Sequence, residues 1–287
     1  MPPLRILNAQ DVRALLPMSD CIDLMRRAFR AVAEKRAAQP IRQMTPAFDG
    51  RGVLAWMPGA MSDPDVLGIK VLSIYPGNFG TDLSSHQGAL LVFEAAAGSP
   101  KALIDAREVT AIRTAAATAA ATDVLAPGDA RSLALFGYGE QAASHLEAIR
   151  MVRDIETTYV WGRDLERAAA FARAHAGHGE IRVAATPREA AQADILCLVT
   201  AAADPYLEGA WLRGGHHLNA VGSSVASSSE VDVEAVVRAR YFVDFEDSAR
   251  ILAGDFKRAL DAGKVRPDHI VGSVGDVLIG AAAGRSS

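Results

Sequence analysis

The stretch "LALFGYGEQAASHL" sets Gly137, Gly139 and Ala142 in the spacing G-x-G-x-x-[GA], directly after an apolar run and directly before a helix-forming one. The first glycine permits a tight turn and the second lets backbone approach a pyrophosphate. A small third residue lets helix and strand pack closely, with the phosphates over the helix N-terminus. About twenty residues further on, a dinucleotide site normally carries a carboxylate for the ribose hydroxyls. Here "TTYVWGRD" offers Gly162 and Arg163 instead. A carboxylate would repel a 2′-phosphate, whereas a glycine followed by a guanidinium accommodates it. NADP(H) is therefore expected over NAD(H), which stays possible. Arg163 also reads as an ordinary surface arginine beside a helix N-capped by Asp164.

A second stretch, "NAVGSSVASSSEVD" from Asn219 to Asp232, is an apolar run that stops at a glycine and enters a loop crowded with serines. If the loop faces a cofactor, its side chains decide which proton transfers are available; otherwise it is a solvated linker. His86 stands alone, as structural histidines usually do. His216 and His217 open a strand with no partners at metal-ligand spacing, so no metal is expected. Cys21 and Cys197 form neither a CxxC pair nor a Cys/His cluster, which excludes a disulfide framework and a zinc site and fits a reducing compartment.

These groups need elements to hold them. The 287 residues suffice for one large or two ordinary domains, and half of them are apolar, enough for a core without staples. The formal net charge is −4 with no long block of either sign, which argues against nucleic acid and membrane surfaces as partners. The start, "MPPLRILNAQDV", lacks the pattern of a secretion signal, and no run approaches the roughly 18 apolar residues of a spanning helix, so a soluble cytoplasmic protein is expected.

"PMSDCIDLMRRAFRAVAEKRA" puts Cys21, Leu24, Met25, Ala28, Phe29 and Val32 on one helical stripe, with Ser19 or Asp20 as N-cap. From Gln39 to Leu103, "GVLAWMP", "LGIKVLSIY", "GALLVFEA" and "PKALIDA" predict a mostly antiparallel sheet. "AREVTAIRTAAATAAATDVLA" predicts a long helix ended by "PGD". After it, strands in "RSLALFG", "TTYVW", "IRVAA", "ADILCLVT", "HHLNAVG" and "RYFVDF" alternate with helices, which implies βαβ units around a parallel sheet. The expected fold is α/β, a Rossmann-type doubly wound sheet plus a sheet-rich α+β domain. The boundary is placed near Pro127, giving domains of 1–126 and 127–276, with residues 277–287 returning to the first.

"QPIRQMTP", "GIKVLSIYPGN", "SSHQGALLVFEAAAGSPKALID", "TAIRTAAATA", "FGYGEQA" and "NAVGS", in this order and at these spacings, resemble the ornithine cyclodeaminase and mu-crystallin family almost from end to end. The resemblance implies a substrate-binding and dimerising domain, a Rossmann domain, a homodimer and a small amino- or imino-acid substrate. Carried over by position, the substrate-carboxylate arginines fall on Arg42 and Arg113 and the active-site lysine on Lys70. A guanidinium fork suits a carboxylate, and a lysine in a partly dry cleft can give or take a proton. The implied cofactor contacts are Ser85, Thr114, Glu140, Gln141, Thr200, Val221 and Gly222, beside Gly137 and Gly139 of the glycine loop and Arg163.

The chain departs from the family in two places. Cyclodeaminases of the family carry an aspartate two residues past the glycine of "NAVG", where this chain has Ser224. An unassisted hydroxyl cannot shuttle protons near neutral pH as a carboxylate does. Reducing a C=N bond asks less: Lys70 protonates the nitrogen and Ser224 hydrogen-bonds it. The expected activity is thus an NAD(P)H-dependent imino-acid (ketimine) reductase working reversibly as an amino-acid dehydrogenase, with ornithine cyclodeaminase as the alternative. Ser227 to Ser229 are read as solvated loop. Family members also continue past "GR" toward the cofactor cleft, whereas this chain stops at Ser287; a non-catalytic, crystallin-like cofactor-binding protein is the third reading.

Overall fold

A computed structural model describes residues 3–78 and 81–285. The chain divides into two compact units, Met1–Arg113 and Thr114–Ser287. In the first, the elements are β1 (Arg5–Leu7), α1 (Ala9–Leu15), α2 (Met18–Ala33), β2 (Ala37–Ala38), β3 (Gln43–Pro46), β4 (Val53–Ser62), β5 (Asp65–Ile74), β6 (His86–Glu94), β7 (Pro100–Asp105) and the opening turns of α3 (Ala106–Leu125). Among the described residues they build one sheet in the order β1-β7-β6-β5-β4-β2, with β3 also on β4. The four long strands β4 to β7 run antiparallel, as their separation by Gly, Pro and Asp implies, whereas β1 joins β7 in parallel.

Helix α2 buries Met18, Cys21, Ile22, Phe29 and Ala31. Its N-cap is Pro17, which makes no side-chain bond, rather than Ser19 or Asp20. Proline pre-sets the entry dihedral, and the two polar residues fall inside the first turn. Leu24, expected on the apolar stripe, is 43% exposed.

The second unit continues α3 and adds β8 (Ser132–Phe136), α4 (Glu140–Arg150), β9 (Thr157–Trp161), α5 (Leu165–Ala174), β10 (Glu180–Val183), α6 (Pro187–Ala190), β11 (Ile195–Leu198), β12 (His217–Ala220), α7 (Val233–Arg238), β13 (Tyr241–Val243), α8 (Glu246–Leu252), α9 (Gly254–Asp261), β14 (Ile270–Ser273) and α10 (Val274–Leu278). Five strands form a parallel sheet in the order β10-β9-β8-β11-β12. Leu133, Leu135, Phe136, Ile195, Leu196 and Leu198 are fully buried; near-continuous apolar runs of this kind mark parallel strands covered on both faces. The order reverses between β8 and β11, and open α/β sheets bind ligands beyond the strand carboxyl ends at such a switch point. The "RYFVDF" strand does not join this sheet; as β13 it pairs in parallel with β14.

The boundary falls inside α3, at Arg113/Thr114, rather than near Pro127. The reason lies in polar ties from the later turns of α3. Thr118 and Thr122 meet the buried His145 and His217 (3.0 and 3.3 Å). The Arg153 guanidinium donates to the carbonyls of Thr122, Asp123, Ala126 and Pro127, at the end of the helix and just past it. The closing stretch, expected to return to the first domain, packs with the second unit. Arg285 donates to the Leu125 and Gly215 carbonyls, and Arg240 to those of Ala283 and Gly284; residues 286 and 287 lie outside the described residues. Among the described residues no helix is long and apolar enough to cross a membrane, and no cluster of His, Cys, Asp and Glu could hold a metal ion.

Candidate active site

Lys70 sits near the middle of β5, facing Met57 of β4 and Leu90 of β6 across the ladder. Its Nζ donates to Thr110 Oγ1 at 3.4 Å, and that hydroxyl donates to the Ala106 carbonyl at 2.6 Å. Thr110 and Arg113 are three residues apart on α3 and so share a helix face. Arg42 immediately precedes β3, whose Gln43 faces Trp56, the neighbour of Met57. Burial, then Arg113, then Arg42 push the Lys70 ammonium down from 10.5 to about 7. Three cationic side chains thus act on one half-buried place, where an anion lowers the cost of all three. A lysine near 7 holds and releases protons at neutral pH. Burial raises the Cys21 thiol to about 11 against the opposing Arg113 field, so it stays protonated. Ser85, half-buried ahead of β6, lies 3.1 Å from the His86 ring.

In the second unit, Gly137 follows β8 with φ +121°, a backbone conformation that disfavours any side chain. Gly139 is the N-cap of α4 and makes no side-chain cap bond. A Cβ built on Gly139 meets nothing within 4 Å, so backbone is open to a ligand directly over the helix N-terminus. Ala142 is fully buried, as close packing of helix on strand requires. Glu140 opens the helix exposed. Gln141 Oε1 and Thr114 Oγ1 are buried without a hydrogen-bond partner among the described residues. Buried polar atoms are rarely left so, and both fit a nucleotide bound at the loop.

Residues Thr114 and Gln141 are linked through His145. Its Nδ1 donates to the Gln141 carbonyl at 2.7 Å, its Nε2 lies 3.0 Å from Thr118 Oγ1, and that hydroxyl bonds the Thr114 carbonyl at 3.1 Å. Burial lowers the imidazole to about 4, so it is neutral and acts as a structural bridge.

At the end of β9, Gly162 is buried under the Tyr138 ring, and a Cβ there would lie 2.2 Å from Tyr138 Cε1. No carboxylate fits at this position while Tyr138 stays in place. Arg163 is exposed. Asp164 caps α5 by accepting from the Arg167 amide, and the Arg167 guanidinium lies 5.0 Å from the Tyr138 centroid. Thr200, two residues past β11, and Gly222, two past β12, both donate to the Glu230 carboxylate. Val221 donates to the Leu198 carbonyl, and Ser224 is exposed.

Ser229 is not solvated. It is fully buried and donates to Asp255 Oδ1 at 2.7 Å, while Ser228 is half-buried; only Ser227 of the three is exposed. Sequence reasoning also passed over Thr110, Tyr138, Glu230 and Asp255. For Thr110 a signal existed: it stands three residues before Arg113 on a helix whose register was already fixed. For Glu230 the signal was weaker, an acid two residues before the Asp232 that caps α7.

A model of the ornithine cyclodeaminase/mu-crystallin family matches residues 4–287. Ketimine reductase mu-crystallin of Mus musculus is 36% identical over 218 residues, 76% of this chain and 69% of the mouse protein. Delta(1)-pyrroline-2-carboxylate reductase of Bacillus cereus is 31% identical over 286 residues, 98% of this chain and 88% of that protein. Among solved structures, Thermococcus litoralis Delta(1)-pyrroline-2-carboxylate reductase in complex with NADH and L-proline superposes with a TM-score of 0.95 at 30% identity, covering 99% of this chain and 89% of that one.

Proposed function

Because the chain belongs to the ornithine cyclodeaminase/mu-crystallin family, we propose that it is an NAD(P)H-dependent reductase of imino acids, working in reverse as an amino-acid dehydrogenase. The observation that carries this reading is Lys70, an amine near pKa 7 beside two guanidinium groups. The names of the relatives, two of them imine reductases, support the same chemistry.

Arg42 and Arg113 bind the substrate carboxylate by charge-assisted hydrogen bonds. Lys70 delivers a proton to the imine nitrogen, and Thr110 keeps its amine from swinging away. Ser224 hydrogen-bonds the nitrogen and leaves the proton transfer to Lys70. When bound, the reduced nicotinamide supplies the hydride to the C=N carbon. Gly137, Gly139, Glu140 and Gln141 hold the pyrophosphate end, with Ser85, Thr114, Thr200, Val221 and Gly222 as further nucleotide contacts.

NADP(H) is the preferred cofactor in this reading. Tyr138 fills the place of a ribose-binding carboxylate, Asp164 is engaged in capping α5, and Arg163 is left beside the 2′ position. Arg163→Ala is expected to weaken NADPH by about 1.5–3 kcal/mol, the value of a charge-assisted contact, with NADH almost unchanged in a fluorescence titration. Equal losses for both nucleotides would remove Arg163 from the site.

The function is tested by following NADPH and NADH oxidation with cyclic ketimines, with pyruvate plus amines and with 2-oxo acids plus ammonia. The same assays on Ser224→Asp place an acid beside the substrate nitrogen. A rate change on the order of tenfold is expected, the electrostatic weight of one pKa unit. Proline and ammonia formed from ornithine, with no imine turned over, would contradict the reductase reading.

The reading also includes a cytoplasmic homodimer. Beside β4, β5 and β6 the first unit carries an apolar groove lined by Pro58, Leu67, Ile69 and Phe93, a face suited to a second copy. Light scattering is expected to give twice the 30.3 kDa chain mass, and a monomer would oppose it; cell fractionation checks the compartment.

A further inference from the structure

We propose that Glu230 is a positioning residue for the dinucleotide, its buried carboxylate setting the spacing of the β11 and β12 carboxyl ends; the inference rests on the reductase reading. Glu230 is fully buried. Its Oε1 accepts from the Thr200 backbone N–H at 2.8 Å, from Thr200 Oγ1 at 2.6 Å and from the Tyr206 hydroxyl at 2.9 Å. Its Oε2 accepts from the Gly222 N–H at 2.7 Å. One carboxylate thus gathers donors from the ends of two neighbouring parallel strands. Glycine at 222 is part of the device: a Cβ there would lie 2.1 Å from the Thr200 carbonyl oxygen and 2.7 Å from the Glu230 carboxylate.

Tyr206 carries the link across the sheet. Its ring centroid is 5.8 Å from that of Phe136 at the end of β8 and 5.2 Å from that of Trp161 at the end of β9. The ends of four adjacent strands, spanning the switch point, therefore meet around Glu230, β11 and β12 by direct hydrogen bonds and β8 and β9 through the Tyr206 ring. The glutamate is itself anchored from behind. Asp255 Oδ1 accepts from the Glu230 N–H at 2.8 Å, from the Val231 N–H at 3.2 Å and from Ser229 Oγ at 2.7 Å.

A buried carboxylate is costly and adds little stability that an apolar residue of similar size could not supply. What it provides is geometry, at the edge where this fold binds nucleotides. With the Thr200 and Gly222 amides both engaged by Glu230, a nucleotide here meets a preset edge rather than one that must reorganise on binding.

The test uses the full chain, with NADPH and NADH as probes. Glu230→Gln keeps the volume but puts an amide donor among four donors; Tyr206→Phe removes a single hydroxyl. For Glu230→Gln, dinucleotide KM and Kd are expected to rise about tenfold or more, with kcat at saturating nucleotide and imino-acid KM nearly unchanged, as loss of charge-assisted bonds on the nucleotide side predicts. Tyr206→Phe should show the same split at about threefold. A soluble Glu230→Gln with parental nucleotide affinity overturns the inference, as does a proportional fall in every parameter. If Glu230→Gln does not fold, parental affinity in Tyr206→Phe overturns it. A parent that binds neither nucleotide sinks the reductase reading and this inference together, whereas a binding parent matched by its variants sinks the inference alone.

Discussion

Replacing Lys70 with methionine is expected to cut imine reduction by about two to four orders of magnitude, the usual worth of a positioned general acid, while NADPH binding is retained. Methionine keeps the length and apolar stem of the side chain, so the β4-β5-β6 ladder should survive. The pH profile of the parent enzyme carries the more specific signature. In the free protein the Lys70 amine is pushed down to about 7, chiefly by burial. Reduction needs the ammonium, so kcat/KM should fall as pH rises through about 7. Oxidation of the amino acid needs the free amine, so its kcat/KM should rise over the same interval. A bound carboxylate adds negative charge beside the ammonium, and the limb in kcat should therefore lie higher than that in kcat/KM. Profiles flat across this range would rule out Lys70 as the titrating group.

Arg113→Met is expected to lower kcat/KM for the imino acid by about 1.5–3 kcal/mol, roughly ten- to a hundred-fold, through loss of one charge-assisted partner of the carboxylate. Methionine retains much of the packing of the arginine stem. A second effect follows from the same charge. Arg113 is the larger of the two cationic influences that lower the Lys70 pKa, so its removal should shift the kcat/KM limb to higher pH. Arg42→Met should do the same to a smaller extent. An arginine that merely braced the helix would lose activity without moving the limb, and that outcome would dissociate Arg113 from the site.

The glycine loop and the parallel sheet were legible in the sequence because both rest on local signals. Gly137, Gly139 and Ala142 occupy one turn, and each apolar strand is closed off by its own punctuation. The unit boundary was not legible. The run from Ala106 to Leu125 is unbroken helix, and the change of allegiance within it depends on His145, His217 and Arg153, all distant in sequence. Lys70, Arg42 and Arg113 were named by resemblance alone. What brings them within electrostatic reach is strand register, and no periodicity encodes which residue faces Met57. The serine loop misled for a related reason: Ser229 looks solvated beside Ser227, and only Asp255, far along the chain, shows why it is buried.

These groups also set what each unit contributes. In the first, Arg113 and Arg42 place positive charge beside Lys70; in the second, the buried acids Glu230 and Asp255 are engaged by backbone and side-chain donors. An enzyme that had to manage ring closure and ammonia loss would need a carboxylate at the position of Ser224. This one keeps a hydroxyl there, consistent with a single hydride and a single proton delivered to C=N.

The most direct measurement of that claim is hydride transfer itself. The protein is incubated with NADPH deuterated at the transferring C4 position and a cyclic ketimine carboxylate, and the amino-acid product is analysed by mass spectrometry. The account predicts one deuterium per product molecule at the former imine carbon, in step with NADPH consumed, and near-complete loss of the signal in Lys70→Met. Product without deuterium, or no product across the ketimine panel from protein that binds the nucleotide, would contradict it.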